Sequence, residues 1–134
     1  MYIGAHLNKD KTILNTLKNI KEVNGNSLQI FISSPLTTKI TDINKFKNEY
    51  EDIRDYCNTN NIKLVIHASY VLNIAKEFKN NKRIIDLSDC YWINLILNQL
   101  EIAHLLNAVG VVIHVGKFMN LSINEALNLS LIHI

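Results

Sequence analysis

The 134-residue sequence predicts an α/β fold, a parallel sheet with crossover helices, read as about the first four βα units of a (β/α)8 TIM barrel. Three observations predict it. Strand-like and helix-like patterns alternate with no linker or low-complexity break, and parallel strands need such long connections. Apolar runs hand over a histidine as they leave the core: "YIGAH" ends on His6, "KLVIH" on His67 and "GVVIH" on His114. No GxGxxG or GxxxxGK[ST] follows any strand, so the phosphate-cradling loops of nucleotide-binding sheets are missing. A doubly wound sheet competes with a barrel on alternation alone. Polar residues at strand C-termini favour the barrel, which builds its site there. A whole barrel takes about 250 residues, so this length reads as a piece of one.

Taken in order, Tyr2 to His6 is a short strand. Asp10 to Val23 then places Ile13, Leu14, Leu17 and Ile20 at helical spacing, with Asp10 or Thr12 available as cap. "NGN" stops this helix, because Gly25 can adopt the left-handed conformation. Ser27 to Ser33 is the second strand, followed by a polar loop holding the only proline, Pro35. Asp42 begins a second helix with Ile43, Phe46, Tyr50, Ile53 and Tyr56 along one side, and "NTNN" ends it. Lys63 to His67 is the third strand. Tyr70 to Asn80 reads as a loop with one helical turn, and Asp86 to Asn107 as a long helix. Its predicted stripe is Trp92, Ile93, Ile96, Leu97, Leu100 and Ala103. Gly110 opens the fourth strand. Ser122 caps a last helix, with Glu125 at the capping-box position.

Composition narrows the class. With 48% hydrophobic and 19% charged residues the chain can bury a core. A formal net charge of +2 is too mild to argue for nucleic acid by itself. Cys57 and Cys90 have no CxxC spacing and suit a reducing interior. No apolar run approaches the ~18 residues of a membrane span, and a strand pattern begins at Tyr2, so a soluble cytoplasmic protein is expected, with no membrane partner. Heavy use of Ile, Asn and Lys reads as the codon bias of an AT-rich genome.

A lone strand-end histidine is most often structural, bonding a nearby carbonyl. Two in the same context, one strand apart, change the balance. Adjacent strands lie ~4.8 Å apart, so His67 and His114 would converge at one mouth and could share a metal ion. Two ligands cannot close a zinc site, and no compact HxxxH spacing is present. His104 sits within the long helix and reads as a surface or packing residue.

"YIGAHL", "HASYVLN" and "IHVGK", in that order, resemble the N-terminal half of the endonuclease IV family, the apurinic/apyrimidinic-site DNA repair endonucleases of the xylose-isomerase-like barrel superfamily. The resemblance implies a zinc-dependent hydrolase that cuts the phosphodiester 5′ to abasic sites in double-stranded DNA, using a trinuclear zinc cluster, with the complete enzyme a monomer. It implies that His67 and His114 are catalytic through metal, as two ligands of one zinc. The third would be a glutamate after a fifth strand that this sequence does not reach, so the chain alone should have little or no activity. It assigns Tyr70 to a DNA-inserting loop, where a rigid aromatic can stack on bases. Ser69 and Asn73 would shape that loop, Asn73 as a turn residue, and His6 would not be a ligand. One departure is "SSPLTTK", where Lys39 is the only positive charge of a loop that in the family often carries basic DNA probes.

The expected domain is 1–128, with "LSLIHI" (129–134) a tail where the resemblance ceases, so His133 is not counted as a ligand. Two other readings compete. One is a metal-dependent sugar isomerase or epimerase on the same scaffold, which favours carboxylate-rich sites. The other is a non-enzymatic half-barrel that dimerises over its open edge.

Overall fold

A computed structural model of the chain describes residues 1–76, 79–80, 83–84 and 86–132. Its elements run β1 (Gly4–His6), α1 (Ile13–Glu22), β2 (Ser27–Phe31), a 3-10 turn (Ile43–Phe46), α2 (Tyr50–Asn60) and β3 (Lys63–His67). They continue with β4 (Lys79–Asn80), β5 (Arg83–Ile84), a 3-10 turn (Leu87–Asp89), α3 (Tyr91–Leu105), β6 (Val111–Val112) and α4 (Ile123–Ile132). The main sheet has the order β1-β2-β3-β6, every pair parallel. Sequential strands are neighbours and helices cross over between them, as the alternation predicts.

One face of the sheet packs against helices. Leu28, Ile30, Leu64 and Ile66 alternate on that face and join Ile13, Leu17 and Ile20 of α1, Ile53 and Cys57 of α2, and Ile102 and Leu106. A second cluster of Ala68, Leu72, Ile74, Cys90, Trp92 and Leu95 fills the space beside β3 and β6. The opposite face carries Gln29, Phe31, Val65 and His67, which are the residues between.

Helix ends show which candidates won. Thr12, not Asp10, caps α1: its Oγ1 accepts the Asn15 N–H at 3.1 Å. The left-handed residue after α1 is Asn24 (φ 60°) rather than Gly25. Gly25 is needed for space, since a Cβ there would lie 2.7 Å from Ile20 Cγ1 while its N–H bonds Ile20 O at 2.9 Å. Asn61 (φ 51°) and Asn107 (φ 53°) end α2 and α3 in the same left-handed way. At the last helix the capping box forms: Ser122 N–H donates to Glu125 Oε2 at 2.8 Å, and Glu125 N–H to Ser122 Oγ at 3.3 Å.

Several boundaries differ from the pattern reading. β2 stops at Phe31, because the chain turns at Ile32 and Ser33 towards Pro35. The second helix begins as a 3-10 turn capped by Asp42, whose Oδ1 accepts the Asn44 N–H at 2.9 Å. In place of the expected loop with one helical turn, Tyr70, Val71, Ile74 and Ala75 lie in turns, and β4 pairs antiparallel with β5. The buried stripe of α3 is not the predicted one: Leu97 and Leu100 are 57% and 47% exposed, whereas Leu95, Asn98, Gln99 and Ile102 are buried with Trp92 and Ala103. Apolar residues occur all round this helix, so periodicity cannot choose a face and sheet contact does. Buried Asn98 is a clamp. Its Oδ1 accepts the Thr41 N–H at 3.0 Å and its Nδ2 donates to Thr41 O at 2.9 Å, tying the β2–α2 loop to α3. α4 runs through the expected boundary at residue 128, with Ser130 buried; His133 lies outside the described residues. Among the described residues no helix is long and apolar enough to cross a membrane.

Asn98→Ala strands a buried Thr41 N–H and should cost about 1–3 kcal/mol in urea unfolding. Burial pushes the Cys57 thiol up to about 11, so the unfolded chain loses this proton first. The folded state should therefore lose stability as pH rises from the ordinary thiol range towards about 11, and Cys57→Ala should flatten that part of the curve.

Candidate functional site

Strand register assembles the site. Phe31 pairs with His67 and His67 with Val112, while His6 pairs with Gln29. Because side chains alternate, His67 points away from the buried Ile66 side, to the face not covered by helices. His114, two residues beyond Val112, returns to that face. The result is a cluster of rings at the C-terminal edge of the sheet, where barrels build their sites.

His67 is buried at 8% exposure, and His114 is exposed. Their Nε2 atoms stand 3.3 Å apart. The His67 Nδ1 is 2.7 Å from Ala68 O, so this nitrogen carries the proton and donates it, leaving Nε2 with a lone pair aimed at His114. Two chemistries suit such a pair: His114 donates its Nε2 proton to His67, or both lone pairs hold one cation. Two nitrogens bound tetrahedrally at ~2.0–2.1 Å stand about 3.3–3.4 Å apart, so the geometry fits two corners of a zinc site. The Nδ1–carbonyl bond is the usual support for a metal-binding histidine. Among the described residues no group of three His, Cys, Asp or Glu surrounds the point, so the fit is to part of a ligand set.

Tyr70 lies beside them, its ring centroid 5.2 Å from those of both His67 and His114 and 5.1 Å from that of Phe31. It packs on the histidines and stays 44% exposed. Its loop is pinned to the β2 loop: Tyr70 N–H donates to Pro35 O at 2.8 Å, and Ser69 Oγ lies 2.8 and 2.9 Å from Pro35 O and Thr37 O. The "SSPLTTK" loop thus anchors the tyrosine, while Lys39 is exposed. Asn73 holds its own turn, as expected, and also bonds to Lys117 across the mouth.

Sequence reasoning missed Phe31 and Gln29. Phe31 packs 4.8 Å from the His67 ring and 4.7 Å from that of His6, and Gln29 Oε1 accepts from His6 Nδ1 at 2.8 Å. The alternation of Gln29 and Phe31 opposite buried Leu28 and Ile30 was the available signal. His6 therefore lies inside the ring cluster, 5.6 Å from His67. His104 is exposed on α3. Beside Tyr70 opens a cleft of about 630 Å³ lined by Tyr91, Phe118, Lys76 and Lys117 among others.

No family model matches the chain. It is 26% identical over 105 residues to "Probable endonuclease 4" of Mycoplasmopsis agalactiae, covering 78% of this chain and 34% of that protein. It is 32% identical over 78 residues to "Probable endonuclease 4" of Petrotoga mobilis, covering 54% of this chain and 26% of the relative. The crystal structure of endonuclease IV from Thermus thermophilus matches 97% of this chain with a TM-score of 0.70 at 23% identity. The resemblance to the endonuclease IV family holds. The α/β fold matches that family's barrel over 45% of the solved chain, and this chain spans about a third or less of the curated relatives' length.

Ser69→Ala should loosen the β2 loop, which the Tyr70 N–H still ties to Pro35 O. The expected cost is about 0.5–1.5 kcal/mol in chemical denaturation, with faster hydrogen exchange at the Tyr70 amide.

Proposed function

We propose that this chain supplies part of a zinc-dependent DNA repair endonuclease that hydrolyses the phosphodiester 5′ to abasic sites. The observation carrying this reading is the His67–His114 pair, with Nε2 atoms 3.3 Å apart and the His67 Nδ1 proton committed to Ala68 O. His67 and His114 are the proposed ligands, and the remaining ones would come from further βα units. Bound zinc supplies water activation near neutral pH and charge stabilisation at a phosphate. The protein's own share is to keep both imidazoles aimed. Buried His67 is held by its carbonyl bond and by the rings of Phe31 and Tyr70. Tyr70 is the proposed stacking group at the lesion, and Lys76 and Lys117 on the adjoining cleft would neutralise backbone phosphates.

The isomerase reading draws no support from the mouth, where the described side chains packed on the His67–His114 pair are imidazoles and aromatics rather than carboxylates. The dimerising half-barrel draws on the sheet itself, in which, among the described residues, β1 and β6 each pair on one side only. Sedimentation of the 134-residue chain tests it: a stable dimer would favour that reading.

The decisive experiment joins this chain to the remaining barrel units of the Thermus thermophilus enzyme and measures zinc content and cleavage of an abasic duplex. His67→Ala and His114→Ala should each lower zinc content and reduce cleavage by orders of magnitude. Tyr70→Ala should weaken duplex binding by ~1–3 kcal/mol with zinc intact. Histidine variants that keep full zinc and full cleavage would refute the metal assignment, and loss of zinc in Tyr70→Ala would remove the stacking role.

A further inference from the structure

Strand β6 ends at Val112, yet His114 stands beyond it in irregular backbone. Among the described residues the last main-chain bond tying this segment to the β3 end is Ala68 N–H to Val112 O at 2.9 Å. The next anchor is Lys117, and one side chain makes it. Asn73 Oδ1 accepts the Lys117 N–H at 2.9 Å and the Ala75 N–H at 3.0 Å, while Asn73 Nδ2 donates to Lys117 O at 3.1 Å. The amide pairs with Lys117 as a neighbouring peptide group would, and so prolongs the attachment where the strand has stopped. Beside it Gly116 lies against Ala75, so closely that a Cβ on Gly116 would fall 2.3 Å from Ala75 N.

We infer that Asn73 is a positioning residue for the imidazole pair, fixing through Lys117 and Gly116 where His114 stands relative to His67. The segment carrying His114 is held at Val112 and at Lys117. Released at one end, it regains backbone freedom, and a 3.3 Å approach between two side chains is then kept only part of the time. Ligands held in place by such supporting bonds bind metal better than mobile ones. The consequence for metal rests on the zinc reading above, whereas the geometric claim does not.

The test uses the 134-residue chain with two readouts. Long-range proton–nitrogen NMR of the imidazoles reads their tautomers and mutual contact, and competition with a chromophoric chelator reads affinity for zinc chloride. The variants are Asn73→Ala, Asn73→Asp and Gly116→Ala. Asn98→Ala is the control, because it breaks an amide clamp elsewhere that likewise makes two bonds to one peptide residue. Asn73→Ala and Gly116→Ala should return His114 to the tautomer mixture of a free imidazole and weaken zinc about 10–100-fold. Asn73→Asp keeps the two accepted bonds and should fall between Asn73→Ala and the parent. Asn98→Ala should melt earlier with imidazole signals and zinc affinity unchanged. If Asn73→Ala behaves like the control, Asn73 is merely structural and the inference fails. If the parent binds no measurable zinc, as two ligands of an incomplete set allow, the NMR contact alone decides the inference. Should Asn73→Ala not fold, Asn73→Asp and Gly116→Ala carry the same comparison.

Discussion

The mouth of this sheet depends on a register only two residue pairs long, Ile66 with Val111 and His67 with Val112. Side chains alternate along a strand, so a slip of one residue would turn the two histidine-bearing strand ends to opposite faces. Short pairing is a weak way to hold register, and neighbouring bonds reinforce it. Val109 N–H reaches Leu64 O at 2.8 Å, Ile66 N–H reaches Gly110 O at 3.0 Å, and Ala68 N–H reaches Val112 O at 2.9 Å. Burial of Ile66 on the helix side supplies the energetic preference, because turning β3 over would expose Leu64 and Ile66 and bury Lys63.

That same alternation explains the buried imidazole. A strand that must present Ile66 to the core must present His67 to the other face, where rings cover it. A buried polar ring is tolerated when its nitrogens are satisfied, and here one donates to a carbonyl while the other meets His114. The aromatic surroundings shield His67 from water, and the loops after β2, β3 and β6 are tied to one another by Ser69 and Asn73. The segments "HASYVLN" and "IHVGK" thus meet at two places, the imidazoles and the Asn73–Lys117 clamp.

Asparagine illustrates what composition conceals. Its frequency reads as codon bias, yet Asn24, Asn61 and Asn107 occupy left-handed helix ends, and Asn73 and Asn98 each pair with a distant backbone. A short amide tolerates positive φ and can imitate a peptide group, which suits both tasks.

The sequence by itself determined the order of the four main strands and their crossover helices, the parallel sheet and the place of His67 and His114 at strand ends, because period-2 and helical patterns with punctuating turn residues are local properties. Tyr70 was singled out by the family resemblance instead. It also determined the capping box at Ser122 and Glu125. It did not determine which face of α3 is buried, since Leu97 and Leu100 look as apolar as Leu95 and Ile102. It did not show Phe31 and Gln29 at the mouth, the β4–β5 pairing or the two amide clamps. Those depend on which residues, 44 to 57 positions apart in the clamps, are brought within hydrogen-bond reach. Only the assembled sheet decides that.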